Sequence, residues 1–166
     1  MKIEDNFLRK KEFNKLQTIM MGGDYAWFYS STIDSNEDVD KFQFTHMFYL
    51  DYAPKSVVCE KLYPIFNKIQ VVSIFRRKAN LLTKTPTIVE NEFHVDINDI
   101  PEEKLKQLTT SIFYINTNNG YTKFEDGTKV ESVANRMVTF PANLKHRGTS
   151  CTNEKTRVVI NFNYFK

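Results

Sequence analysis

From residue 71 onward the sequence breaks into short runs rich in Val, Ile, Thr, Phe and Tyr, at 71–83, 92–96, 111–116, 121–124, 129–132, 136–140 and 156–164. Asn118-Asn119-Gly120, Glu125-Asp126-Gly127 and Pro141-Ala142-Asn143 punctuate them. These residue types adopt or pre-set the turn dihedrals that strands exclude. Strands this short and this closely spaced leave no room for alternating helices. A parallel βαβ sheet is therefore excluded, and an antiparallel sandwich or barrel remains. The absence of a GxGxxG or P-loop motif agrees with that.

The first 70 residues read differently. Asp5 is placed to cap a helix ending near Met21, where Gly22-Gly23 stops it, and Phe13, Leu16 and Met20 share one face of it. Strands are expected over 27–33 and 42–50, joined by an acidic polar loop over 34–41. A second helix is expected over 56–69, with Val57, Leu62, Ile65 and Phe66 apolar. The expectation is one domain over 1–166: an all-β core over 71–166, with 1–70 as an N-terminal support whose helices form a buttress on one outer face. A chain of 166 residues can bury such a core without staples.

Lys+Arg 23 against Asp+Glu 20 gives a net charge of +3, too mild to point to nucleic acid or an anionic membrane. Cys59 and Cys151 form no CxxC or zinc pattern and are expected as reduced thiols of a cytoplasmic protein. The start, MKIEDNFLRKKEF, is too charged for a signal peptide. No apolar run approaches the roughly 20 residues of a membrane span.

Histidine is scarce: His46, His94 and His146 are all there is. In Phe93-His94-Val95-Asp96, a strand would point residues two apart to the same side, so His94 and Asp96 present an imidazole and a carboxylate to one point. His146 supplies a second imidazole. Two His and one carboxylate on one face of a metal leave the opposite face open, which is the donor set of non-heme Fe(II) oxygenases. His-x-Asp is a frequent accident in a chain with nine Asp, and Arg157 is what raises it. Arg157 opens the apolar run Val158-Val159-Ile160, where an unpaired cation is costly. A bound dicarboxylate, gripped as a charge-assisted fork, would be a suitable partner.

The stretch 79–164 resembles the catalytic core of the 2-oxoglutarate- and Fe(II)-dependent dioxygenases. It is most similar to the prolyl-hydroxylase-like branch, in the small form common in bacterial and bacteriophage genomes. FHVD, FYINTNNGYTKFEDG, FPANLKHRG and RVVINFNY carry the resemblance over about half the chain. It implies a double-stranded β-helix, the cupin-like jelly roll. His94, Asp96 and His146 match the iron ligands. Arg157 matches the residue that pairs with the distal carboxylate of 2-oxoglutarate, and Tyr114 a tyrosine that hydrogen-bonds the same carboxylate. Asn80 matches a further co-substrate contact, although Leu82 stands where relatives carry the Tyr of Asn-x-Tyr. Fe(II), 2-oxoglutarate and O2 are the implied cofactors, with ascorbate as a stimulant.

The implied reaction is hydroxylation of a C–H bond, foremost on a protein or peptide side chain, with release of succinate and CO2. Halogenating relatives replace the ligand carboxylate by a small residue, so Asp96 favours hydroxylation. Two alternatives stay open: the same chemistry on a nucleobase or small metabolite, and a non-redox cupin-like metal-binding protein or isomerase. Base demethylases carry Arg-x-Asn-x-Thr-x-Arg in the last strand. Val159 and Asn163 replace its Asn and second Arg here, which speaks against repair chemistry.

Among the remaining candidates, His46 is expected as a structural, hydrogen-bonded histidine and Arg136 as half of a structural ion pair. Arg147 is expected to face outward. Arg76-Arg77-Lys78 reads as a basic edge that guards a strand against aggregation.

Overall fold

The computed structural model describes residues 1–33 and 41–166. Its strands are β1 (Lys2–Glu4), β2 (Phe28–Ser30), β3 (Gln43–Leu50), β4 (Ala53–Pro54), β5 (Ser73–Thr83), β6 (Thr109–Tyr114), β7 (Tyr121–Phe124), β8 (Lys129–Glu131), β9 (Met137–Pro141), β10 (His146–Gly148) and β11 (Thr156–Phe165). The helices are α1 (Lys10–Met21), α2 (Tyr63–Ile69) and the short α3 (Glu102–Leu105), with a 3-10 turn over Val57–Leu62. The large sheet runs β1-β9-β6-β11-β5-β3-β2 with β4 on β3, and the small one runs β10-β7-β8. Strand pairing is antiparallel throughout both sheets.

Two cores follow from strand alternation. On the outer face, Val158, Ile160 and Phe162 of β11 and Phe113 of β6 pack with Phe13, Leu16 and Met20 of α1 and Ile65 of α2. On the inner face, Ile112, Val138, Phe140 and Val159 of the large sheet meet Phe124 and Val130 of the small one. This is the expected double-stranded β-helix with its helical buttress.

Several local expectations are corrected. Asp5 does not cap α1, which starts at Lys10 with Arg9 as a cap that makes no side-chain bond. Arg136 takes Asp5 instead, through Nε at 2.6 Å and Nη2 at 3.0 Å, so the ion pair expected of Arg136 forms. Just before Asp5, β1 pairs with β9, a contact too short to leave a period in the sequence. The helix expected over 56–69 divides into the 3-10 turn and α2, because Pro64 fits only the first turn of a helix. The expected acidic loop, apart from Lys41, lies outside the described residues.

The run 92–96 is not a strand: His94 makes an isolated bridge to His146, and the strand there is β10. Nor is Arg76-Arg77-Lys78 an edge, because β5 lies between β11 and β3. Arg77 is buried on the outer face over Phe66 and donates to Cys59 Sγ at 3.0 Å. Arg147 does not face solvent freely. It lies over the Phe93 ring and pairs with Glu90 at 3.1 Å. His46 is structural as expected, with Nδ1 2.7 Å from Ala26 O and Nε2 2.7 Å from Ser56 Oγ. Among the described residues, no helix is long and apolar enough to cross a membrane.

Phe113 is fully buried and meets both Phe7 and Phe13 edge-on. Phe113→Ala is expected to cost about 3–5 kcal/mol, because the tethered helix cannot collapse into the void. Urea unfolding of both proteins measures it, and a loss under about 1 kcal/mol would show that α1 is not anchored there.

Candidate metal centre and anion pocket

His94 and His146 face each other across two reciprocal backbone hydrogen bonds of 3.0 Å. Their Nδ1 atoms lie 3.0 Å from Glu92 O and 3.3 Å from Leu144 O. An Nδ1–H donated to a carbonyl fixes the neutral tautomer that keeps the Nε2 lone pair for a metal. Burial holds the His146 imidazole pKa below its ordinary value, against the opposite pull of Asp96. Asp96 completes the group, and one ligand atom from each of His94, Asp96 and His146 lies within 4.8 Å of the others.

The Asp96 carboxylate is only 5% exposed. Burial alone would raise its pKa, but the Arg76 charge, the neighbouring imidazoles and the Asn163 hydrogen bond outweigh burial and hold it well below the usual range. It is an anion. Asn161 Nδ2 donates to its Oδ1 at 3.0 Å and Asn163 Nδ2 to its Oδ2 at 2.9 Å, while Arg76 Nη2 lies 3.3 Å from Oδ1.

The cluster opens on a cavity of about 270 Å³ lined also by Asn80, Leu82, Ile112, Thr122, Val159 and Arg157. That is just under the roughly 300 Å³ at which small-molecule pockets begin. Arg157 is 3% exposed and meets only neutral groups: Nε donates to Ser132 Oγ at 2.8 Å and Nη2 to Thr122 Oγ1 at 3.2 Å. No carboxylate pairs with it among the described residues. Burial presses its pKa down. A guanidinium stays charged regardless, so the cavity contains a buried cation that lacks an anion.

Thr122 Oγ1 accepts from both Arg157 and Tyr114 Oη, the latter at 2.8 Å. Its own O–H is left to donate to a ligand. Asn80 also lines the cavity, and its Oδ1 is buried without a hydrogen-bond partner among the described residues. Such an orphaned group signals a missing ligand or water.

The structure thus brings together His94, Asp96, His146, Arg157 and Asn80. Tyr114 lies behind Thr122 and does not line the cavity. Sequence reasoning missed Thr122, Ser132 and the residues that grip Asp96. Thr122 and Ser132 carry no motif, and Arg76 reaches Asp96 only because β5 and β11 place it opposite Asn163.

No family model matches the sequence, and no curated protein matches it. Solved structures do. A prolyl hydroxylase from Trichoplax adhaerens, in complex with a hypoxia inducible factor oxygen degradation domain peptide fragment, aligns with a TM-score of 0.68 at 12% identity, over 99% of this chain and 82% of that chain. A Pseudomonas putida prolyl-4-hydroxylase aligns at 0.61 and 12% identity, over 99% and 92%. The alpha ketoglutarate dependent carbocyclase SnoK from nogalamycin biosynthesis aligns at 0.69 and 11% identity, over 99% and 78%. The fold is the one these enzymes share.

A Cβ on Gly120 would sit 2.7 Å from Arg157 Cδ and 2.7 Å from Ser150 O, closer than real contacts allow. Gly120→Ala is expected to push the guanidinium out of its seat and to cost about 1–3 kcal/mol, as overpacking does. An unchanged denaturation midpoint would show that the turn yields freely.

Proposed function

We propose that the protein is an Fe(II)- and 2-oxoglutarate-dependent oxygenase that hydroxylates a C–H bond. The observation that carries this reading is the buried Arg157 guanidinium, without an anion, on the same cavity as the His94, Asp96 and His146 cluster. A metal-binding protein or isomerase with no co-substrate has no use for a buried cation there.

In this reading His94, Asp96 and His146 hold iron. Two neutral imidazoles and one carboxylate suit Fe(II) and leave coordination positions open. Iron with 2-oxoglutarate supplies the oxidising chemistry: O2 is reduced as the keto acid is decarboxylated to succinate and CO2, and one oxygen atom enters the substrate. The chain's own residues bind and orient. Arg157 grips the distal carboxylate as a charge-assisted fork, and the Thr122 hydroxyl donates beside it. Tyr114 steers that hydroxyl from behind. Asn80 lines the same cavity, where only the Nδ2 end of its amide can donate to the co-substrate's oxygens. Leu82, Ile112 and Val159 add apolar wall to the same cavity.

The substrate we favour is a protein or peptide side chain, by analogy with the prolyl hydroxylases that share the fold. A small metabolite is the second reading, because SnoK aligns at least as well. Peptides and metabolites of a host lysate that gain one oxygen atom on incubation with Fe(II) and 2-oxoglutarate, read by mass spectrometry, separate the two.

The reaction class is tested by succinate formation from 2-oxoglutarate with and without Fe(II). Iron-dependent succinate is expected. No turnover together with no 2-oxoglutarate binding would sink the oxygenase reading. His146→Ala is expected to abolish metal binding. Arg157→Ala is expected to keep the metal but raise the 2-oxoglutarate needed for half-maximal turnover by about 10–100-fold, the loss of roughly 1.5–3 kcal/mol. An unchanged requirement would mean that the anion sits elsewhere.

A further inference from the structure

Asp96 lies in an irregular stretch. Between β5 and α3 the chain is tied to its surroundings by isolated bridges at Lys84, Glu90 and His94, and none of them is at Asp96. Its backbone therefore does little to place its carboxylate, yet the side chain is almost wholly buried.

We infer that Arg76, Asn161 and Asn163 form a clamp that sets the Asp96 carboxylate in place as a metal ligand. They would be positioning residues of the centre proposed above, and the inference rests on that metal reading. The three come from the rigid middle of the large sheet. Asn161 and Asn163 are two apart on β11 and share a face, and Arg76 is the register partner of Asn163 on β5. The clamp is itself oriented: Arg76 Nε donates to Asn163 Oδ1 at 3.1 Å, and Asn163 Nδ2 also reaches Thr110 Oγ1 of β6 at 3.0 Å.

The consequence for a metal is geometric. The two amides take one acceptor position on each oxygen and Arg76 flanks Oδ1 as an ion pair, so the carboxylate is held against rotation. Its Oδ1, 3.9 Å from His146 Nε2, stays turned toward the histidine cluster.

The test uses cobalt(II) as a spectroscopic probe on the full chain. Arg76→Gln is expected to weaken cobalt affinity by about 10–100-fold, the usual effect of removing an outer partner of a ligand, and to alter the visible absorption of the bound ion. Asn161→Ala should move both readouts the same way by less, and it decides the matter if Arg76→Gln fails to fold. In an Asp96→Ala background, Arg76→Gln should change neither readout, because the group it positions is gone. Wild-type affinity and spectrum in a folded Arg76→Gln or Asn161→Ala protein would overturn the clamp alone. So would an equal loss in the Asp96→Ala background. If the wild-type chain binds no cobalt, the metal reading fails and the clamp falls with it.

Discussion

Strand β11 is hydrogen-bonded to β5 on one side and to β6 on the other, and every residue from Arg157 to Tyr164 is buried. Its outward residues, Val158, Ile160 and Phe162, are apolar and carry the helices. Its inward residues are Arg157, Val159, Asn161 and Asn163. Covering both faces of a strand normally asks for apolar residues on both. Three buried polar side chains on one face are tolerable only if each finds a partner. The cavity, the His94, Asp96 and His146 cluster and the placing of the small sheet all answer that demand.

The partners differ along the strand. At one end Asn161 and Asn163 are matched by a fixed anion, Asp96, with Arg76 beside it. At the other end Arg157 has hydroxyls but no anion among the described residues. The inner face of β11 therefore has an end whose amide N–H groups are matched by the Asp96 anion, although Asn161 Oδ1 has no partner among the described residues, and an end where the guanidinium meets only neutral groups, with Val159 between them. Under the proposed function, 2-oxoglutarate spans that interval and supplies the missing negative charge. The close approach of Gly120 and Gly148 to Arg157 leaves room for the guanidinium and for little else.

Much of this was legible in the sequence. Turn signals and period-two runs located β7 to the residue and β5, β8, β9 and β11 to within a few positions, because those strands have one clear apolar face. His-x-Asp and an arginine in an apolar strand singled out the cluster and its cavity. What misled was local. The run 92–96 has strand-like composition but hangs on one bridge, and Arg76-Arg77-Lys78 looks like an edge although β5 is central. Asp5 looks like a helix cap but is claimed by Arg136, which sits beside it just before the neighbouring strand β9.

The sequence by itself determined which residue types are available for chemistry: two histidines beside an aspartate, and one arginine where no charge should be. Composition and strand period are local properties, so one chain read in order reveals them. Only the tertiary structure decided which groups meet. Register across β5 and β11 put Arg76 opposite Asn163, strand pairing turned Thr122 toward Arg157, and packing left that guanidinium without a carboxylate among the described residues. Those contacts join residues far apart in sequence, and their energies depend on burial that no single segment can specify.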